Sequence, residues 1–340
     1  MSLPAHLPHP CLVADVGGTN ARFAFAASAD EPLSPVVRVA SGLQADFAAT
    51  IRDAIRTGGF PMPRSLLVAV AGPLRGLSAE LTNAATPSGN LRIDGPSLAS
   101  RLRLDQGLLF NDFEALSLAT PFLDDSLTTP IGGGVAVAGG PVLVVGPGTG
   151  LGVGALLNAD GRLLPVASEG GHVGIGPETD AERVWWPYLG ADRISAEDLI
   201  SGRGLVRICR ALAAAGGRPP EFATASEVTE AALVGAQPSA REAARVFLAL
   251  LGRFAGDMAL AFCATGGVFI GGGVTPRLRS LLDASDFRSA FEAKGPLAPY
   301  VSAIPTRLIL SDEAALIGLA AVAAAPQRFQ LAYASRFWRA

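Results

Sequence analysis

The chain has 340 residues, 49% of them hydrophobic and 17% charged, with a formal net charge of −3. That length and apolar content can bury about two domains' worth of core and exclude an intrinsically disordered chain. The slight acidity and the lack of a basic run exclude nucleic acid as the main partner.

In chain order, residues 12–16 read as a buried strand that stops at Gly17-Gly18, and residues 20–25 read as its hairpin partner. A third strand is expected around 35–40. A helix follows over 46–57, with Phe47, Ile51 and Ile55 at helical spacing and Gly58-Gly59 as its stop. Residues 66–71 form a buried strand closed by Gly72-Pro73, with Thr82-Asn83 on an extended segment beyond. Residues 108–110 form another strand, stopping at Asn111-Asp112, where a helix over 113–120 begins. Residues 142–157 then repeat the opening theme of apolar run, glycine turn and apolar run. An element recurring about 130 residues later implies two similar lobes, each with one glycine hairpin.

The second half continues through the loop Glu169-Gly170-Gly171-His172 and a helix over 181–188. A short helix capped by Ser195 follows, with Asp198 at the third position as a partial capping box. Residues 240–264 read as a long helix in which Val246, Leu250, Phe254, Met258 and Phe262 recur every four residues. A strand over 268–270 runs into Gly271-Gly272-Gly273, another strand covers 306–310, and 314–325 is a small-residue helix suited to close contact with a sheet.

The first hairpin carries Asp15, Thr19, Asn20 and Arg22 around its glycines. Glycines let a backbone approach a ligand closely, and successive N–H groups in such a turn form an anion-binding concavity. A plain hairpin with a glycine turn fits the same pattern. Asp112, at the end of a buried strand, is placed to act as a general base, and Asn111 to bind the same substrate, unless one of the pair only caps the helix. Glu169, His172 and Glu197 have the donors and acceptors that suit vicinal sugar hydroxyls, or are ordinary surface polar groups. Lys294 is the only lysine and is not followed by Ser or Thr, which excludes a Walker P-loop and the early-strand lysine of protein kinases. Cys11, Cys209 and Cys263 are widely spaced and form no zinc or disulfide pattern. With no signal-peptide pattern, and no apolar run of the roughly 20 residues a bilayer needs, a cytoplasmic protein is expected and no membrane partner.

Taken in order, Asp15-Val16-Gly17-Gly18-Thr19-Asn20-Ala21-Arg22, Asn111-Asp112-Phe113, Gly148-Thr149-Gly150-Leu151-Gly152, Glu169-Gly170-Gly171-His172, Ser195-Ala196-Glu197 and Gly267 through Gly273 resemble the bacterial glucokinase family of the enterobacterial type. The resemblance covers nearly the whole chain after residue 11. It implies an α/β, actin/hexokinase-like (ribonuclease H-like) two-lobed fold with an interlobe cleft. The small lobe would span 1–118, completed by a C-terminal helix at about 312–326, and the large lobe 119–311. It implies ATP-dependent phosphorylation of D-glucose at the 6-hydroxyl, with Mg²⁺, by a homodimer. Asp112 matches the catalytic base, and Asn111, Glu169, His172 and Glu197 the sugar contacts. Ala14, Asp15, Val16, Gly17, Gly18, Thr19, Asn20 and Arg22 match one phosphate loop, and Gly148, Thr149 and Gly150 the other. Gly271, Gly272 and Gly273 match the adenosine side, and Asp15 is the expected metal residue.

The Cys-rich zinc motif of the repressor/kinase relatives is missing, since Val173-Gly174-Ile175-Gly176-Pro177 follows His172. One departure stands near the sugar side: Ala84 to Asn90 has no aromatic where the family usually has one, and has extra residues. A kinase for fructose or an N-acetylhexosamine is therefore the alternative. A sugar-sensing regulator is less expected, because only 11 residues precede Leu12, and a filament protein on the same fold less still.

Overall fold

The computed structural model describes residues 7–18, 20–40, 46–86, 89–235, 237–282, 286–332 and 335–339, with side chains for all of these except 82–86 and 89–90. The chain runs β1 (Cys11–Val16), β2 (Asn20–Ala26), β3 (Val37–Ala40), α1 (Phe47–Gly58), β4 (Ser65–Val70), β5 (Leu74–Arg75), β6 (Ser78–Thr86), β7 (Gly89–Asp94), α2 (Gly95–Leu102), β8 (Gln106–Asn111) and α3 (Asp112–Ala119). It continues through β9 (Thr128–Gly132), β10 (Val142–Pro147), β11 (Leu151–Ala159), β12 (Arg162–Ser168), α4 (Asp180–Trp185), α5 (Ala196–Leu199), α6 (Gly202–Ala215), α7 (Ala225–Val234) and α8 (Pro238–Ala261). Last come β13 (Gly267–Ile270), α9 (Arg279–Leu282), α10 (Phe287–Glu292), α11 (Ala298–Ser302), β14 (Thr306–Ile309), α12 (Ala314–Ala324) and β15 (Phe337–Arg339). These elements group into two compact units, one of residues 7–124, 156–167 and 313–339, the other of 125–155 and 168–312.

The first sheet has the order β15-β8-β4-β1-β2-β3. Strands β1, β4 and β8 are mutually parallel, and β2, β3 and β15 are antiparallel to their neighbours. All six residues of β4 are buried, as a parallel strand covered on both faces requires. Helix α1 starts where Asp46 accepts from the Ala48 N–H and ends at Gly59, in the left-handed region at φ 64°. Helix α12 lies against α3 and β1. It buries Leu316, Leu319 and Val322, each worth about 1.5–3 kcal/mol on removal from water. A Cβ on Gly318 would sit 2.3 Å from the Ala115 carbonyl oxygen, so only glycine permits this approach of α12 to α3.

The second sheet has the order β12-β11-β10-β13-β14-β9, with β10, β13 and β14 parallel and β9 antiparallel to β14. The two sheets therefore share one plan. In each, a hairpin and its third strand lie on one side, two parallel strands on the other, and an antiparallel strand closes that edge, though this closing strand follows the rest of its sheet in the chain as β15 and precedes it as β9. The repeat read from two glycine turns extends to the whole of both sheets. Helix α8 buries Phe247, Leu250, Leu251 and Phe254, while Val246 and Met258 lie at the edge of its core face. Its Gly252 and Gly256 admit α10, since Cβ atoms there would fall 2.0 and 2.3 Å from the Phe287 and Phe291 carbonyl oxygens. Lys294 is a structural clamp: its Nζ donates to the Arg253 carbonyl oxygen at 2.9 Å and pairs with Asp257 at 2.6 Å.

Candidate active site

In the first unit the carboxyl ends of β1, β4 and β8 lie side by side, with Val70 in register with both Val16 and Asn111. This is the end of a parallel sheet where ligands collect. The Ala71 N–H donates to the Val16 carbonyl at 3.0 Å, and the Gly17 N–H to that of Asn20 at 3.0 Å, closing the hairpin turn. Asp15 and Arg22 are cross-strand partners in β1 and β2, and the Arg22 Nη1 donates to the Asp15 Oδ2 at 3.2 Å. Ala14 and Val16 are buried in β1, Asn20 is exposed, and Thr19 lies outside the described residues.

Asn111 is the N-cap of α3. Its Oδ1 accepts from the Phe113 and Glu114 N–H groups at 3.0 and 3.2 Å, and its Nδ2 reaches the Gly72 carbonyl at 3.5 Å. The helix-cap role is thus filled by Asn111, which leaves Asp112 as the first residue of the helix, half-buried, where the helix dipole favours a carboxylate. Glu114 completes the capping box, its Oε2 accepting from the Asn111 N–H at 3.3 Å.

In the second unit the turn between β10 and β11 is closed by the Gly148 N–H donating to the Gly150 carbonyl at 2.8 Å. Thr149 at its tip is exposed. Glu197 pairs with Arg203 through its Oε1 at 3.5 Å, and its Oε2 accepts from the Leu151 N–H at 2.9 Å. This contact explains Gly150, whose added Cβ would fall 2.4 Å from that carboxylate oxygen. The 169–172 loop lies on the same strand, because a Cβ on Gly171 would come within 2.1 Å of the Leu151 carbonyl oxygen. Glu169 and His172 are exposed and approach to 3.9 Å, and Arg193 donates to the His172 carbonyl at 2.7 Å. Gly271 donates to the Val145 carbonyl at 2.8 Å. Gly272, at φ 78°, holds a place where a Cβ would strike the Pro147 carbonyl oxygen at 2.3 Å. Gly148, Thr149, Gly150, Glu169, His172, Glu197, Gly271, Gly272 and Gly273 thus form one neighbourhood around the ends of β10 and β13.

Ser195 and Asp198 form a complete capping box on α5. Burial pushes the Asp198 carboxyl up, but hydrogen bonds from Ser195 and the nearby Arg207 outweigh it and hold it below the usual range. The sequence reading passed over the start of α6. The Gly202 N–H donates to the Gly148 carbonyl at 2.8 Å, and the Ser201 Oγ caps the helix through the Gly204 N–H. A helix N-terminus therefore abuts the second glycine turn. Its signal was present as a serine followed by Gly202-Arg203-Gly204. A pocket of about 800 Å³ in the second unit, lined by residues such as Trp185, Val246 and Arg253, contains none of the candidate residues. Among the described residues no group of three or more His, Cys, Asp or Glu side chains could cage a metal.

A family model described as Glucokinase matches residues 12–326. A glucokinase of Sinorhizobium fredii is 43% identical over 97% of this chain and 96% of its own length. One of Rhizobium meliloti is 40% identical over 98% and 97%. Among solved structures, a glucokinase from an Antarctic psychrotroph superposes with a TM-score of 0.80 at 32% identity, covering 92% of this chain and 97% of that one. The expected actin/hexokinase-like α/β fold is borne out by this likeness.

Proposed function

Because the chain belongs to the glucokinase family, we propose that it transfers the γ-phosphoryl group of ATP to the 6-hydroxyl of D-glucose, giving glucose 6-phosphate and ADP. The observation that best supports this chemistry is the position of Asp112, which opens α3 at the carboxyl end of β8 while Asn111 takes the cap. In this reading the Asp112 carboxylate orients the 6-hydroxyl and accepts its proton as the phosphoryl group arrives. Phosphoryl transfer asks the protein mainly for positioning and charge neutralisation. The turns at Gly17-Gly18 and at 148–150 hold phosphate oxygens through backbone N–H groups, with the α6 N-terminus behind the second. Asn20 flanks the first turn, Thr19 is assigned to phosphate from the sequence pattern alone, and Gly271, Gly272 and Gly273 offer side-chain-free backbone to the adenosine. Glu169, His172 and Glu197 recognise sugar hydroxyls, helped by the remaining Asn111 amide hydrogens.

The Asp15 carboxylate, which pairs with Arg22, would meet a Mg²⁺ ion brought in with the nucleotide through that ion's waters, and the ion would supply charge neutralisation at the phosphates. The reading also takes the protein as a cytoplasmic homodimer, which light scattering on the purified chain tests. An ADP-release assay over glucose, fructose and N-acetylhexosamines, each with ATP or polyphosphate, tests the substrates. Glucose with ATP is expected to give the highest kcat/KM, and another sugar ahead by more than about tenfold contradicts the reading.

A further inference from the structure

The strand that delivers Asn111 and Asp112 has an edge, and the last residues of the chain cover it. Strand β15 pairs antiparallel with β8, Phe337 opposite Leu108 and Trp338 opposite Gly107, and the Leu109 N–H donates to the Arg336 carbonyl at 3.2 Å. Trp338 is 2% exposed and its ring packs against two glycines. A Cβ on Gly107 would fall 2.1 Å from the ring and one on Gly95 2.4 Å from it. The two glycines thus make the room that this seat of the arm requires.

That seating aims Arg336 at the start of α3. Its Nη1 donates to the Glu114 Oε1 at 2.6 Å, with the two side chains only 14% and 3% exposed, and its guanidinium lies 5.6 Å over the Phe110 ring. Glu114 spends its other oxygen on the Asn111 N–H. One carboxylate thus ties the C-terminal arm to the residue immediately before Asp112. Burial pushes the Glu114 carboxyl up, and the Arg336 charge and hydrogen bond oppose that push, so the anion depends on its partner. Among the described residues, β4, β8 and α12, which pack against α3, contain no titratable side chain, and the other carboxylate of α3 is Asp112 itself. Arg336 also lies beyond residue 326, where the family model's match ends.

We propose that the C-terminal arm is the positioning device for Asp112, with Arg336 acting through Glu114 and Asn111 to fix the first turn of α3. This rests on Asp112 being the base. Removing Arg336 leaves a buried carboxylate unpaired beneath that turn, and a shift approaching 1 Å of a reacting group can cost about a hundredfold in rate.

The test compares Arg336→Gln, Glu114→Gln, the double variant and Asp112→Asn in the full chain, reading kcat, KM for glucose and Tm. Arg336→Gln is expected to lower kcat about tenfold or more while KM for glucose stays within about threefold. The double variant removes the stranded charge and is expected to regain most of the lost kcat. An Arg336→Gln protein that keeps its kcat per folded molecule while losing Tm overturns the proposal, as does a double variant no better than the single one. Should Arg336→Gln fail to fold, Glu114→Gln gives the reading, because its amide oxygen still caps Asn111 while the ion pair is gone. Unchanged kcat there overturns the proposal equally. Asp112→Asn separates the two claims: if it turns over normally, the base assignment fails, whereas if it is inactive and the arm variants are normal, only the arm's role fails.

Discussion

Gly148→Ala is the substitution that best separates ligand binding from folding. A Cβ on Gly148 meets nothing within 4 Å, and the residue is outside the positive-φ glycines, so alanine fits without strain. Replacing a glycine by alanine where the backbone allows it stabilises a protein by about 0.4–1 kcal/mol through the unfolded chain. Tm is therefore expected to hold or rise slightly. A phosphate drawn up against this turn meets the new methyl group. Losing one charge-assisted hydrogen bond of about 1.5–3 kcal/mol raises the apparent KM for ATP about tenfold to a hundredfold. The assay is ADP release at saturating glucose with ATP varied, alongside thermal unfolding of the same preparation. A KM for ATP unchanged within about twofold, with the fold intact, refutes the assignment of this turn to phosphate.

Gly171→Ala acts on the sugar side. Its Cβ would fall 2.1 Å from a backbone oxygen that no rotamer change relieves, so the 169–172 loop must move. KM for glucose is expected to rise at least about tenfold, KM for ATP to change little, and stability to fall by about 1–3 kcal/mol. An unmoved KM for glucose removes Glu169 and His172 from the sugar site. Asp46→Ala tests the fold alone. The hydrogen bond from Arg101 is the main cause that lowers the Asp46 carboxyl below its ordinary 3.8, so its stabilisation is present above that value and is lost as pH falls through the folded one. Denaturant unfolding at neutral pH is expected to show a loss of about 1 kcal/mol from the cap, the partly exposed Arg101 pair adding little. That difference shrinks as pH falls below 3.8, and a difference undiminished by acid contradicts the cause given.

Local signals carried most of the fold that the sequence disclosed. The apolar run of β4, the glycine stops and the small residues of α12 each declare themselves within a few positions. Helices α7 and α2, absent from the elements read above, are equally legible, the first from the capping box of Thr224 and Glu227 and the second from the Asp94 cap and a proline in its first turn. The β6–β7 hairpin shows the same kind of signal, since Ala79-Glu80-Leu81 and Leu91-Arg92-Ile93 alternate buried apolar with exposed charged residues, although only Thr82-Asn83 is read above as extended. The aromatic-free stretch from Ala84 to Asn90 has its side chains outside the described residues. At the site, the glycine turns and Asn111-Asp112 were visible as motifs, but their partners were not. Glu197 meets the Leu151 N–H across 46 positions and Arg336 meets Glu114 across 222, separations at which no periodicity or spacing reports a contact. Strand β15 is three residues long and pairs along the edge of β8, a partner no local pattern reports.

The role of Asp112 is tested most directly by kcat of Asp112→Asn at saturating glucose and ATP, together with glucose affinity measured by calorimetry on the same protein. Asparagine keeps the size and hydrogen-bonding oxygen but cannot accept the hydroxyl proton. A base at this position requires kcat to fall by about 10²–10⁴ while glucose still binds. A variant that binds glucose and turns over within about tenfold of the parent would contradict it.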